Sequence, residues 1–114
     1  MQLAETPRFG VPLERMLQVF DAAHYLRTHP DVAAALQAGQ LASAEEHYRG
    51  WGYAESRSCF PLDDAWYGMQ YPLAGFEVAQ GDYMNFGQHY VATGRQRGYR
   101  PLPPDGFKME YVPG

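Results

Sequence analysis

The chain has 114 residues, a net charge of −4 and aromatic side chains at 15% of its positions. That length suits one domain with a core of its own, and the acidic balance, with eight Arg and one Lys, Lys108, argues against a general nucleic-acid-binding surface, which needs a basic stripe. No window approaches the run of about 20 apolar residues that spans a membrane as a helix, and Met1 to Gly10 has neither the basic start nor the apolar run of a signal peptide. The expectation is a soluble protein without membrane insertion, made in the cytoplasm, with a cell or particle surface as a candidate final site.

In chain order, residues 1–11 read as an irregular arm, broken at Pro7 and Gly10. Residues 12–19 form a lead-in helix: Pro12 suits a first turn, and Leu13, Met16, Leu17 and Phe20 follow at helical spacing. Asp21 is placed to cap a short helix that carries Tyr25 and Leu26 inward. Pro30 ends that helix and opens the next, which runs through Val32, Ala35 and Leu36 to a left-handed Gly39. Ser43 with Glu46 predicts a capping box for a third helix, with Ala44, His47, Tyr48 and Trp51 as its apolar stripe and Gly52 as its end.

The chain then writes this pattern again. Asp21, Ala23, Tyr25, Pro30, Gly39, His47, Tyr48 and Gly52 reappear 42 positions later as Asp63, Ala65, Tyr67, Pro72, Gly81, His89, Tyr90 and Gly94, without a gap. A fixed period in this range is the mark of stacked supersecondary units, which makes 20–58 a first repeat and 62–100 a second. In the second, Asp63 or Asp64 caps, Trp66 and Met69 supply an apolar face, and Phe76, Val78 and Ala79 continue it. Asn85 with Gln88 stands where Ser43 with Glu46 stood. Residues 101–114 read as an extended arm in which Phe107, Met109, Tyr111 and Val112 alternate with polar positions. The predicted fold class is therefore all-α: two tandem ~42-residue helical repeats with a lead-in helix and extended arms at both ends.

The stretch F-D-A-A-H-Y-L-R-T-H-P-D-V from Phe20, followed by H-Y-R-G-W-G-Y-A-E-S-R from His47, resembles a bacterial tandem repeat of the form F-D-x-x-Y-Y-L-x-x-x-P-D-V…H-Y-x-x-x-G-x-x-E-G-R. That repeat is found in surface or secreted proteins and beside glycosyltransferases of polysaccharide biosynthesis. The resemblance covers Phe20 to Arg57 well and Leu62 to Tyr99 loosely, and it brings no catalytic residue with it. His24 departs from the pattern, as does Ser56, which stands where the pattern has Gly. In the second copy Leu73-Ala74 replaces Asp-Val, Arg97 stands at the Glu position and Tyr99 at the Arg position.

Candidate chemistry is sparse. His24, His29, His47 and His89 lack the spacing of a zinc site, and the repeated pair His47 and His89 reads as packing. Asp63-Asp64 reads as a helix cap, and Cys59, the only cysteine, as a small semi-buried residue that excludes an intramolecular disulfide. No nucleophile elbow or phosphate loop is present. No cofactor, no metal and no enzymatic activity are expected. The candidate binding residues are Arg95, Arg97, Tyr99 and Arg100, a basic edge specific to the second copy, with Tyr53 and Arg57 in the first. Guanidinium forks there would hold carboxylates of an acidic polysaccharide or of a partner subunit. Phe107, Met109 and Tyr111 are expected to grip neighbours. The expected function is a non-enzymatic interaction module, a structural or adaptor subunit of a surface-exposed bacterial assembly, either envelope-associated or a phage-like particle. The alternatives are a carbohydrate-binding module for capsule or exopolysaccharide, and a small enzyme or metal-binding protein.

Overall fold

The structure, a computed structural model, describes residues 7–104. The alternating segment with Phe107, Met109 and Tyr111 lies outside the described residues. Within them every regular element is helical: α1 (Leu13–Leu17), α2 (Ala22–Thr28), α3 (Pro30–Gln37), α4 (Ala44–His47), α5 (Asp64–Gln70), α6 (Pro72–Ala79) and α7 (Phe86–His89). Both α4 and α7 widen into a π-helical turn, at Tyr48–Gly52 and Tyr90–Gly94, and the second is followed by a single 3₁₀ turn, Arg95–Arg97.

Local chemistry sets the helix starts. The side chains of Asp21, Ser43, Asp63 and Asn85 accept from the backbone N–H groups of His24, Glu46, Trp66 and Gln88, each three residues on, at 2.7–3.0 Å. Of the two neighbouring aspartates it is therefore Asp63 that caps α5. The return half of the expected capping box differs in both places. The Glu46 carboxylate accepts from the N–H of Ala42, one residue earlier than the pattern requires. Gln88 points elsewhere, its amide N–H meeting the Met84 sulfur at 3.7 Å. Pro30 and Pro72 occupy the first positions of α3 and α6, where the missing N–H is no loss.

Gly39 and Gly81 take φ of 80° and 90°, the left-handed conformation expected after α3 and, 42 positions on, after α6. Gly52 and Gly94 do not end helices this way. Gly94 is helical, with φ −60° and ψ −47°, and the left-handed residues lie four further on, at Ser56 (φ 63°) and Gly98 (φ 85°). Ser56 thus holds a backbone conformation that favours glycine, and Gly98 supplies one at the matching position.

One buried cluster joins the two halves: Val11, Met16, Tyr25, Val32, Ala44, Tyr48, Cys59, Phe60 and Val91. Arg15 donates to the Val91 carbonyl at 3.0 Å, and Phe60 lies 5.9 Å from the ring of Tyr90. The N-terminal segment takes part as well. The N–H groups of Arg8 and Phe9 donate to the carbonyls of Gly81 and Asp82 at 2.9 and 2.7 Å, the Phe9 ring meets Tyr83 at 5.6 Å, and Val11 is buried. The described part of the arm thus reaches into the core, and Tyr53 fixes it further by donating its hydroxyl to the Val11 carbonyl.

Two expected core residues sit outside. Met69 is 74% and Phe76 60% exposed, together with Leu73 at 51%. In α5 the buried residues are Trp66 and Tyr67, and in α6 the only buried one is Ala74. Phe76 lies two residues beyond the buried Ala74, about 200° round α6, and Met69 is the last residue but one of α5. Trp51, expected in the apolar stripe of α4, is also exposed, while Ala44 and Tyr48 of that stripe are buried.

Candidate functional site

The two buried tyrosines define a pair of matching constellations. The Tyr25 hydroxyl meets His47 Nδ1 at 2.8 Å, and the Tyr67 hydroxyl meets His89 Nδ1 at 2.8 Å. In each case the phenol oxygen presses on a glycine. A Cβ built on Gly52 would lie 2.0 Å from the Tyr25 hydroxyl oxygen, and one on Gly94 2.1 Å from that of Tyr67. The glycines are therefore needed for close approach and not for a turn.

Only the second constellation is extended. His89 Nε2 lies 2.7 Å from Glu77 Oε1, and Arg97 grips both oxygens of Glu77 at 3.0 Å. A carboxylate only accepts, so Nε2 carries the proton; Nδ1 then accepts, and the Tyr67 hydroxyl donates to it. Burial pushes the His89 imidazole below its ordinary value, partly opposed by Glu77. The neutral ring is thus fully satisfied, and Arg97 balances the charge of Glu77. In the first half Ala35 takes the place of Glu77 and His47 is only half-buried.

This gives a pH dependence with a definite sign. A histidine held below its unfolded value binds its proton first in the unfolded chain, so stability falls as pH drops through about 6.5 toward the lower folded value. His24, also lowered by burial, acts in the same direction. Glu77, held low chiefly by Arg97, adds a further loss below the ordinary glutamate value of 4.5. Urea midpoints measured from pH 7.5 to pH 5 should decline, and the decline should shrink in His89→Gln. A flat profile in the wild type would contradict the neutral assignment.

The six candidate binding residues divide into two groups. Four are engaged within the chain. Arg57 forks onto Asp31 at 3.0 and 2.9 Å and reaches Glu55 at 2.8 Å, and this fork holds the Asp31 carboxyl down to about 2. Arg97 is held by Glu77, Tyr99 stacks flat on Tyr71 with 3.8 Å between ring centres, and Tyr53 bonds to Val11. Arg95 and Arg100 are exposed, and their side chains have no carboxylate partner among the described residues. The fork onto Glu77 makes Arg97→Glu costly for the fold. Two carboxylates would face each other there, and a loss of roughly 1–2 kcal/mol is expected for this partly exposed pair. Equal stability of Arg97→Glu and wild type in denaturant would show the pair to be of no consequence.

The surface carries two further features. Trp51, 54% exposed, stands between two shallow depressions of about 420 and 500 Å³. One is lined by Asp31, His47, Glu55 and Arg57, the other by Ser43, Glu45, Glu46 and Arg49. The other feature is the exposure of three large apolar side chains on consecutive helices, Met69 on α5 and Leu73 and Phe76 on α6. Forty-two positions earlier stand Arg27, Asp31 and Ala34; that comparison is the one signal in the sequence that marks these residues as surface. A partly open cavity of about 50 Å³ at the junction is lined by Ser58, Cys59, Asp64, Asn85 and Gln88 among others, which is room for water-sized guests. The Cys59 thiol there is buried, and burial pushes it up.

Among the described residues no group of three or more His, Cys, Asp or Glu side chains is placed to hold a metal ion, and no helix is long and apolar enough to cross a membrane. No family model, curated protein or solved structure matches the chain.

Proposed function

We propose that this chain is a non-enzymatic interaction module of two tandem helical repeats, serving as a structural or adaptor subunit of a surface-exposed bacterial assembly, either envelope-associated or a phage-like particle. The repeat reading is supported by the matched Tyr–His–Gly constellations, the matched caps and the matched left-handed residues, all offset by 42 positions. The observation that carries the function is the exposure of Met69 on α5 and of Leu73 and Phe76, three residues apart on one side of α6: three large apolar side chains on consecutive helices, each more than half exposed. A surface of this kind marks a contact with another macromolecule, and in the matching positions of the first half a charged pair and an alanine leave no such face. The test is cross-linking inside the cells that make the protein, with cross-linkable residues placed on α5 and α6. Links from this face to another protein chain, its own copies included, are expected. Their absence, with links gathering on a different surface, would overturn the reading.

A second reading is favoured by Trp51. An exposed indole flanked by carboxylates and guanidinium groups suits the stacking and hydrogen bonding of a sugar ring, and this supports a carbohydrate-binding module for bacterial capsule or exopolysaccharide. A glycan array with wild type and Trp51→Ala separates the two, since the apolar face is untouched by that change.

A further inference from the structure

We infer that the chain associates with itself head to tail, the apolar knob on α5–α6 of one copy seating in the groove between α2 and α3 of the next. This rests on the reading of the protein as an assembly subunit and names its partner as a second copy. The knob is Phe76, 60% exposed, with Leu73 three residues before it on the same side of α6 and Met69 at the end of α5. The groove is a shallow depression of about 530 Å³ whose lining includes Leu26, Pro30, Ala33, Ala34 and Leu36. Knob and groove occupy matching places in the two halves. Ala34 stands 42 positions before Phe76, and Leu26 and Ala33 stand 42 positions before Gly68 and Gly75. One half presents a hollow with small residues between leucines; the other presents an aromatic side chain next to a glycine. A bump and a hollow on different surfaces of one molecule form a heterologous contact, which leaves one of each unfilled and passes the contact on to the next copy.

Charge favours the same arrangement. Residues 41–58 carry Glu45, Glu46 and Glu55 against Arg49 and Arg57, whereas 83–100 carry no acid and, beside the Arg97 that Glu77 balances, Arg95 and Arg100. Arg95 and Arg100 have no carboxylate partner among the described residues. Head-to-tail stacking brings the basic end of one copy toward the acidic end of the next, while a two-fold pair built on Phe76 brings like ends together and leaves the groove empty. Complementary potentials select partner and register in this way.

The test uses full-length wild type, a variant without the knob (Phe76→Ser) and a variant with the groove blocked (Ala34→Arg). Both positions are exposed, and circular dichroism checks that each variant folds; Leu73→Ser serves as a second knob variant. Sedimentation velocity is followed as concentration rises. The wild-type average mass should keep climbing without levelling at a dimer. Each variant alone should remain monomeric. An equimolar mixture of Phe76→Ser and Ala34→Arg should form a dimer and nothing larger, because it retains one intact knob and one intact groove. A wild type that stays monomeric throughout overturns the inference, and so does an oligomer lost in Phe76→Ser but unchanged in Ala34→Arg, or a mixture that fails to pair. If the purified chain is monomeric while links in cells join α5–α6 to a different protein, self-association falls and the assembly reading stands. If those links are absent, the assembly reading falls with it.

Discussion

Tyr67→Ala is expected to cost about 3–5 kcal/mol in equilibrium unfolding, the range for large aromatic side chains removed from cores. Tyr67 is 0% exposed, and its ring lies within 5.2–6.3 Å of Tyr71, Phe86, His89, Tyr90 and Tyr99. Removing it opens a void among aromatic neighbours and also strands His89 Nδ1, which is buried and loses its donor. An unpartnered buried acceptor adds roughly 1–3 kcal/mol of desolvation cost. The matching change, Tyr25→Ala, removes an equally buried ring from beside Phe20, His29, His47 and Tyr48. His47 is only half-buried, however, so water can replace the lost hydroxyl. Both losses should be large, with Tyr67→Ala the larger. Denaturant melts of the two proteins decide this; a cost under about 1 kcal/mol at both sites would mean that the tyrosines are not the centres of their halves.

Gly94→Ala, which adds one methyl group, is expected to destabilise by about 2–3 kcal/mol, at the upper end of overpacking costs. The methyl would lie 2.1 Å from the Tyr67 hydroxyl oxygen, far inside van der Waals contact. Relief by rotation is closed, because the phenol is rigid, fully buried and bonded at 2.8 Å to His89, which is itself bonded to Glu77. The clash is with a single oxygen, and that allows a sharper test. Tyr67→Phe removes the oxygen, so the double variant should be more stable than the sum of the two single losses predicts, by about 1 kcal/mol or more. The same cycle applies to Gly52 and Tyr25, where the approach is 2.0 Å. Strict additivity in both cycles, or a Gly94→Ala protein as stable as wild type, would rule out close approach as the reason for these glycines.

The parts of the fold that are local in chemistry were legible in the sequence. Asp21, Ser43, Asp63 and Asn85 cap because each needs only a backbone N–H three residues away. Pro30, Pro72, Gly39 and Gly81 act through their own dihedral preferences. The side on which a short helix is buried was not legible. An α6 of eight residues has just over two turns, too few for a stripe, and its buried residue is the small Ala74, not the large Phe76. The candidate site failed for a related reason. Arg97 looked free because its partner, Glu77, lies 20 residues back and has only Ala35 at the matching place in the first half. Its charge read as specific to the second half, which is correct, but the acid that neutralises it is specific to that half as well. Cys59 shows the opposite case: its place beside Phe60 at the junction was enough to indicate a packed thiol, and it is buried.

The backbone bonds from Arg8 and Phe9 to Gly81 and Asp82 impose an order on the making of the molecule. During translation the segment before α1 emerges ahead of the helices, yet its acceptors are encoded 73 positions later. At about 5–20 residues per second, it waits roughly 4–15 s before the carbonyls it needs have been made. Throughout that interval Val11 and Met16 have lost the company of Val91, and Arg15 has no carbonyl to hold. The first half leaves the ribosome as a helical unit with one flank unfinished, and the last part of the second half closes it. A nascent chain halted near residue 70 would therefore expose apolar surface that the finished protein hides, and would be the form most in need of a chaperone.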